Sequence, residues 1–213
     1  MEIVHKYRPV LKNEVPVYRQ PMEHLFHTHK VYVFGYGSLL TADGWKRRGM
    51  TLTPGRKDLI ECELKGFERG PFGMFGNVVY YGIIRNARKH CNGVLGRVHN
   101  LHDWVNLMRT EMIAGLTSHV NYRVIDVTQD VCNIVDAHKL KMPYKIHAVC
   151  NRPANKSNVL KALPAPGYYS YCWNRVLMER SDEFSKMFLK TGGFKHGYEV
   201  ARYLDKEAGC DDC

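Results

Sequence analysis

The chain has 213 residues, of which 45% are hydrophobic and 24% are charged, a composition that fits one soluble globular domain with its own core. No window approaches the roughly 18 consecutive apolar residues that a membrane-spanning helix needs. The formal net charge of +10 at pH 7 comes from scattered basic residues without a nucleic-acid-binding motif, so we expect a basic surface that attracts anionic small molecules.

The two ends of the chain carry short clusters of metal-binding residue types. His24, His27 and His29 lie close together, but no further ligand residue lies nearby, which favours a surface segment. The last residues form a lone Cys-x-x-Cys without the second pair of ligands that a metal site needs. The N-terminus has no apolar segment typical of a secretory signal, so we expect a cytoplasmic protein. The sequence predicts an extension over 1–29, one domain over 30–206 and a flexible tail over 207–213.

The most informative stretch covers residues 31–40. Residues 31–34 are apolar and aromatic without alternation, which predicts a short buried strand. Gly35 and Gly37 follow it and allow either a positive φ or the close approach of another group. The backbone amides of Gly37, Ser38 and Leu39 are then placed to converge as a small anion-binding nest for a carboxylate or a phosphate.

This turn does not match three better-known motifs. A dinucleotide fingerprint needs a third glycine, where the chain has Leu40. A nucleophile elbow needs glycines two residues before and after the serine, but Ser38 has Tyr36 and Leu40 there. The Gly-Lys-Ser/Thr run of a P-loop is absent. A tight turn without a ligand therefore remains an alternative on the turn alone.

Further elements follow in chain order. Residues 58–67 read as a strand and the glycine-rich segment 66–76 as a loop. Residues 77–84 and 93–98 read as antiparallel neighbours on either side of a basic turn over 85–92.

Residues 101–112 form the clearest predicted helix, with Asn100 as N-cap and Asp103 at a position typical of a capping box. The apolar residues recur at three- and four-residue spacing and define one face, comprising Leu101, Trp104, Val105, Met108 and Met112. At about 100° per residue, Glu111 falls inside this apolar arc. A carboxylate that faces the core is costly unless it is paired, so Glu111 is either a functional acid or the partner of a basic neighbour.

The C-terminal half alternates again between strands and helices. Residues 122–127 and 131–149 are strand-like, with an interruption at Met142-Pro143. Residues 165–167 break the chain before a helix from Tyr168 to about residue 190, with a restart at Ser181, and a short helix is expected over 198–206. This order predicts an α+β fold, a mixed β-barrel or sheet with flanking helices.

Three short motifs in this order resemble the γ-glutamylcyclotransferase superfamily, especially its ChaC-like, glutathione-degrading branch. They are Phe-Gly-Tyr-Gly-Ser-Leu at 34–39, Gly-Val at 93–94 followed by the helix with its glutamate and a Tyr-containing strand at 121–124, and Pro-Ala-Pro-Gly-Tyr at 164–168. The match covers residues 31–190. The chain departs from the family at Leu95-Gly96, where a bulky residue often follows Gly-Val, and at Ala165, where the family has serine.

The resemblance implies the function and the site. It implies an enzyme that cyclises a γ-glutamyl amide to 5-oxoproline, with glutathione, a γ-glutamyl dipeptide or a γ-glutamylamine as substrate. Glu111 is implied as general acid/base, and the substrate-binding residues are Tyr36, Gly37, Ser38, Leu39 and Tyr168. The reaction requires neither a metal nor another cofactor.

Other interpretations stay open on the sequence. Ser38 as the nucleophile of a hydrolase needs an adjacent base, which the sequence does not place, so a binding role is preferred. Asp58, Glu61 and Glu63 are further acids that need no catalytic role. A non-catalytic protein of the same fold that binds a ligand or partner is the main alternative, and a basic protein acting on nucleic acid is a weaker one.

Overall fold

The computed structural model describes residues 19–75, 78–112, 122–151, 163–165 and 167–192. In these ranges the helices are α1 (Arg19–Thr28), α2 (Ala42–Lys46), α3 (Leu101–Met112), α4 (Tyr168–Glu179) and α5 (Asp182–Thr191). The strands are β1 (Lys30–Gly35), β2 (Ile60–Phe75), β3 (Val78–Val98), β4 (Tyr122–Asp126), β5 (Val131–Cys132), β6 (Tyr144–Asn151) and β7 (Leu163–Pro164).

All seven strands belong to one mixed sheet. The order along the sheet is β4-β6-β1-β3-β2-β5, and β7 pairs with β3 off this path. The β1–β6 and β3–β7 pairs are parallel and the others antiparallel. The sheet curls into a half-barrel with flanking helices, which confirms the predicted α+β fold class.

Strand β1 lies in the middle of the sheet and is buried on both faces. Val31 and Val33 pack into a core shared with α-helical residues such as Trp104. Tyr32 and Phe34 point into a second core, which the strands line. Because both faces are covered, the strand shows no alternation of polarity, as its sequence predicted.

The predicted loop at 66–76 and the predicted basic turn at 85–92 are both wrong. Strand β2 runs through Gly66, Gly70 and Gly73, and β3 extends from Val78 through the basic segment to Val98, so the described parts of the two predicted neighbours belong to one strand. The pairing of β2 with β3 shifts register between Lys65 and Phe67, where Gly66 has φ +80°, and again between Gly70 and Gly73. The extra residues at these bulges, 86–89 on β3 and 71 and 72 on β2, have no partner in the register of the two strands, while the paired residues on either side keep the strands together.

Helix α1 lies inside the predicted N-terminal extension, for which no helix is predicted, although Met22, Leu25 and Phe26 recur at helical spacing and pack against one core. Its Met22 is buried in the same core as Trp104 of α3, so packing rather than helix propensity stabilises this short helix. His24 and His27 are exposed. Among the described residues, no group of three or more His, Cys, Asp or Glu side chains is placed to hold a metal. The boundary at residue 29 stays a prediction.

The helices predicted in the second half are confirmed where the structure describes them. The break before α4 is at Gly167, whose φ is +66°. The restart is at Ser181, whose hydroxyl accepts a hydrogen bond from the Phe184 amide and caps α5. The helix expected over 198–206 and the cysteine tail lie outside the described residues. No helix in the described part of the chain is long and apolar enough to cross a membrane.

His147 on β6 makes the stability of the fold depend on pH. Its ring is buried and lies edge-on to Trp104, with ring centroids 5.4 Å apart. Burial lowers the pKa of His147 from 6.5 to about 4, although the charge of Asp126 opposes this shift. Between these values the unfolded chain binds more protons than the folded chain. The free energy of unfolding is therefore expected to fall by up to about 1.4 kcal/mol per pH unit as the pH drops through this window.

Urea unfolding of the wild type and of His147→Leu at several pH values from 7 to 4 checks this prediction. The variant retains the contribution of the carboxylates that both proteins share, so the difference between the two slopes isolates the histidine. Parallel slopes for the two proteins would contradict a buried, neutral His147.

Candidate active site

The loop after β1 is built on two close contacts. A Cβ atom placed on Gly35 would lie 2.5 Å from the Leu39 carbonyl oxygen, and one on Gly37 would lie 2.5 Å from the Tyr168 hydroxyl oxygen. Neither glycine has a positive φ. Of the two uses that the sequence left open, these glycines serve close approach, and the second contact brings the late motif onto the loop.

Helix α2 supports the loop from behind. A Cβ atom on Gly44 would lie 1.7 Å from the Ser38 carbonyl oxygen, so the backbone of α2 rests directly on the loop. The buried Trp45 donates from Nε1 to the Leu39 carbonyl oxygen at 2.7 Å. Its ring fills the space above Gly96, where a Cβ atom would lie 2.2 Å away. The departure from the family pattern at Leu95-Gly96 thus makes room for the Trp45 ring.

Helix α2 is also tied to α4, the helix that begins with Tyr168. The carboxylate of Asp43 accepts hydrogen bonds from the Tyr171 hydroxyl at 3.1 Å and from Arg47 Nη2 at 2.8 Å. The hydrogen bond from Tyr171, with the charge of Arg47, holds the pKa of Asp43 below its ordinary value. The Ala42 amide donates to Glu179 at 3.2 Å. These contacts fix the position of the loop relative to the late tyrosine, Tyr168.

The backbone amides of the loop are left with donor capacity. Residues Ser38–Leu40 form a single turn of 3-10 helix, in which the Leu40 amide donates to the Gly37 carbonyl oxygen at 3.0 Å. Within the described part of the chain, the amides of Gly37, Ser38 and Leu39 have no hydrogen-bond acceptor. This is consistent with the predicted anion nest, which stays a prediction.

Glu111 near the end of α3 is joined to the loop through an arginine. Arg48 Nε donates to Glu111 Oε1 at 2.5 Å, and Arg48 Nη2 donates to Ser38 Oγ at 2.6 Å. The side chains of Arg48 and Glu111 are 16% and 19% exposed, so the pair is largely enclosed but reachable from solvent. Two residues that the sequence placed in separate motifs therefore share one arginine.

The buried face of α3 explains the position of Glu111. Trp104, Leu107 and Met108 are buried, whereas Val105 is 36% exposed. The predicted apolar face wrongly included Val105, because the buried arc is centred on the side of Trp104 that faces away from Val105. Glu111 lies within this corrected arc, and its largely enclosed side chain is compensated by Arg48.

Helix α3 also holds the segment that carries Arg48. The buried Asp103 accepts hydrogen bonds from the amides of Thr51 at 2.5 Å and Leu52 at 3.2 Å. Asn106 Nδ2 donates to the Gly49 carbonyl oxygen at 2.8 Å. The Asp103 amide donates to Asn100 Oδ1 at 2.8 Å, which confirms the predicted N-cap. The carboxylate of Asp103, however, binds the neighbouring segment.

The two tyrosines predicted to bind substrate have different surroundings. The Tyr168 ring packs edge-on to Tyr80, with centroids 5.0 Å apart, and its hydroxyl reaches Gly37. The Tyr36 ring is buried, and its hydroxyl donates to the Val149 carbonyl oxygen at 2.7 Å. The Leu39 side chain is also buried. The side chains of Tyr36 and Leu39 thus anchor the loop in the core. We therefore expect these two residues to contact the substrate through their backbone.

Sequence reasoning missed Arg48, Trp45 and the Asp103 contact to the neighbouring segment. Arg48 belongs to a run of three basic residues that resembles a solvated surface patch, and its neighbour Arg47 is indeed exposed. The available signal was Glu111 itself, because an acid on an apolar arc requires a basic partner. The sequence does not say which one.

The remaining acids have structural contacts. Both carboxylate oxygens of Glu61 accept from Ser181 at the start of α5, and Asp58 accepts from the Gly55 amide at 2.9 Å. Glu63 lies 4.0 Å from His90. These contacts agree with the expectation that none of the three needs a catalytic role.

Similarity to known proteins is visible in three dimensions only. No family model and no curated protein matches the chain. A solved γ-glutamyl cyclotransferase superposes with a TM-score of 0.52 at 14% identity, over 84% of this chain and 99% of that one. The uncharacterized human protein loc79017 superposes with a TM-score of 0.51 at 13% identity, over 84% of this chain and 99% of that one. YkqA from Bacillus subtilis superposes with a TM-score of 0.51 at 15% identity, over 86% of this chain and 58% of that one.

This chain therefore has a γ-glutamylcyclotransferase-like fold, which confirms the resemblance carried by the three motifs. At these identities the similarity shows the fold alone.

Proposed function

We propose that this protein is a γ-glutamylcyclotransferase-type enzyme that cyclises a γ-glutamyl amide to 5-oxoproline and releases the amine. The observation that supports this most is the convergence of three separate motifs. The loop at 35–39 contacts the Tyr168 hydroxyl at Gly37 and is linked from Ser38 through Arg48 to Glu111. An acid, a loop with three backbone amides that have no acceptor among the described residues, and a tyrosine hydroxyl thus lie around one place in a fold that also includes a γ-glutamyl cyclotransferase.

The chemistry needs one group that can take and return a proton. The α-ammonium of the substrate transfers a proton to Glu111, and the free amine then attacks the γ-carbonyl carbon to close a five-membered ring. The bond from that carbon to the leaving nitrogen breaks as protonated Glu111 returns the proton to this nitrogen. The ring nitrogen loses its second proton as the lactam forms, and the released amine takes up one proton to leave as an ammonium, so atoms and charges balance without a cofactor.

The loop supplies binding and orientation. Its amides at Gly37, Ser38 and Leu39 hold a carboxylate of the substrate, and the Tyr168 hydroxyl contributes a further polar contact. Fixing the bent conformer that brings amine and carbonyl together removes the entropic cost of ring closure from the chemical step. The leaving group remains open among a cysteinyl-glycine unit, an amino acid and an alkylamine.

A substrate panel tests this proposal. Purified protein is incubated with glutathione, γ-glutamyl dipeptides and γ-glutamyl-lysine, and 5-oxoproline is quantified together with the released amine. We expect equal amounts of both products from at least one compound, and the best one names the leaving group. Release of glutamate in place of 5-oxoproline would indicate hydrolysis and would return Ser38 to consideration as a nucleophile.

A non-catalytic binding protein on the same fold is the second candidate. The observation in its favour is the Arg48–Glu111 ion pair, because it gives the inward-facing acid a structural role. Thermal stabilisation by a γ-glutamyl compound, with no product after prolonged incubation, would favour this candidate over the enzyme.

A further inference from the structure

We propose that Arg48, together with the backbone amides of residues 37–39, binds the α-carboxylate of the reacting γ-glutamyl residue, and that loss of the Arg48–Glu111 ion pair then frees Glu111 to act as the base. The proposal rests on the proposed function and makes Arg48 a residue that determines specificity. It starts from the position of its guanidinium, which lies between the candidate base at 2.5 Å and the substrate loop at 2.6 Å.

The Arg48–Glu111 pair differs from an ordinary surface ion pair. In the neighbouring pair, Arg47 and Asp43 are 60% and 35% exposed, whereas Arg48 and Glu111 are 16% and 19% exposed. Exposed pairs are solvated whether or not they meet. An enclosed pair in which one charge lost its partner would be costly, so it is expected to separate only for a ligand that replaces both partners.

The backbone presents Arg48 in a defined position. The Arg48 amide donates to the Trp45 carbonyl oxygen at 3.1 Å, and the next residue, Gly49, has φ +65° and accepts from Asn106. Asp103 holds the amides of residues 51 and 52. With anchors on both sides, the guanidinium binds a ligand at little further entropic cost.

The guanidinium also has donors to spare. An arginine carries five N–H donors in a planar fork that matches a carboxylate. Nε and Nη2 are used by Glu111 and Ser38, and Nη1 has no acceptor among the described residues. Arg48 can therefore donate hydrogen bonds to a carboxylate and keep its hydrogen bond to Ser38.

The charges of the substrate complement those of the pair. The reacting end of a γ-glutamyl compound carries an ammonium and a carboxylate on the same carbon. When the carboxylate takes Arg48 and the ammonium takes Glu111, one ion pair becomes two and no charge is left alone. An amine without the α-carboxylate would have to break the Arg48–Glu111 pair without replacing it.

Two matched substrates test this role. One is a γ-glutamyl amide, and the other is the 4-aminobutanoyl amide of the same amine, which lacks only the α-carboxylate and would yield pyrrolidin-2-one. In Arg48→Gln we expect kcat/KM for the γ-glutamyl amide to fall about 10- to 100-fold, mainly through KM, because a charge-assisted hydrogen bond is lost. For the 4-aminobutanoyl amide we expect no fall, since Glu111 is then unpaired.

The control variant is Lys46→Gln, which removes a nearby exposed cation and should change the kcat/KM of neither substrate by more than about twofold. The ratio between the two substrates is measured on one preparation, so partial misfolding does not affect it. An equal fall for both substrates in Arg48→Gln would overturn the proposal and leave Arg48 as a residue that only positions Glu111.

A binding experiment separates this proposal from the proposed function. Both amides are titrated calorimetrically into the wild type and Arg48→Gln, each carrying Glu111→Gln so that no turnover occurs. A preference for the carboxylate-bearing amide that needs Arg48 supports the proposal even if no 5-oxoproline is ever formed. Equal binding of both amides, or no binding of either, overturns it.

Discussion

Replacement of Glu111 by glutamine is expected to lower 5-oxoproline release from the best γ-glutamyl substrate by roughly 10³-fold, within the range attributed to general acid–base catalysis. Glutamine keeps the shape and can still accept the hydrogen bond from Arg48 Nε. It cannot take the proton from the substrate ammonium. The measurement is the single-turnover rate of 5-oxoproline formation at saturating substrate, beside the dissociation constant.

Glu68→Gln is the matched control for this prediction. Glu68 is a partly buried acid on β2 that accepts a hydrogen bond from Asn86 at 2.8 Å, so its replacement removes a similar charge elsewhere. We expect the control to retain its activity and to lose at most about 1 kcal/mol of stability. Glu111→Gln is expected to lose more, because it leaves the enclosed Arg48 without its anionic partner. Wild-type turnover in Glu111→Gln would remove Glu111 from the mechanism and leave its ion pair as a structural feature.

Replacement of Gly44 by alanine is expected to destabilise the fold by about 3 kcal/mol, at the upper end for overpacked sites. The new methyl group would lie 1.7 Å from the Ser38 carbonyl oxygen, and this obstacle is backbone that no side-chain rotation can move. A loss of this size lowers the melting temperature by roughly 6–12 °C. Because α2 must move away from the loop, kcat/KM should fall as well, measured below the melting transition.

Gly55→Ala separates this steric effect from the general effect of losing a glycine. The backbone of Gly55 is extended with φ −73°, and the nearest atom to its Cβ position is Asp58 Oδ2 at 3.1 Å, the end of a side chain that can turn away. We expect this control to change stability by less than about 1 kcal/mol. If Gly44→Ala behaved like Gly55→Ala, the close contact between α2 and the loop would be refuted.

Local sequence patterns were sufficient to predict the elements whose own residues determine their structure. Residues 101–112 repeat with the helical period, and the structure has α3 over that range with Asn100 as N-cap. The same period showed that Glu111 faces the core. The unbroken apolar run of β1 predicted a strand covered on both faces, and the three motifs in order predicted the fold.

Local patterns failed where contacts between segments distant in the sequence determine the structure. Gly66, Gly70 and Gly73 and the basic residues at 85–92 have turn and surface preferences, yet they lie in two long strands because the residues on either side of each bulge pair across the ladder. Helix α1 was missed because its ten residues offer a single set of apolar positions at helical spacing, Met22, Leu25 and Phe26, and its stability depends on burying them against the core.

The fold class, the glycine-spaced loop and the inward-facing acid that needs a basic partner were all predictable from the amino-acid sequence. That this partner is Arg48, and that the same guanidinium holds Ser38, is visible only in the folded protein. The contact depends on α2 resting against the loop at Gly44 and on Asp103 and Asn106 holding the segment after Arg48. No period or spacing within one element records such long-range contacts.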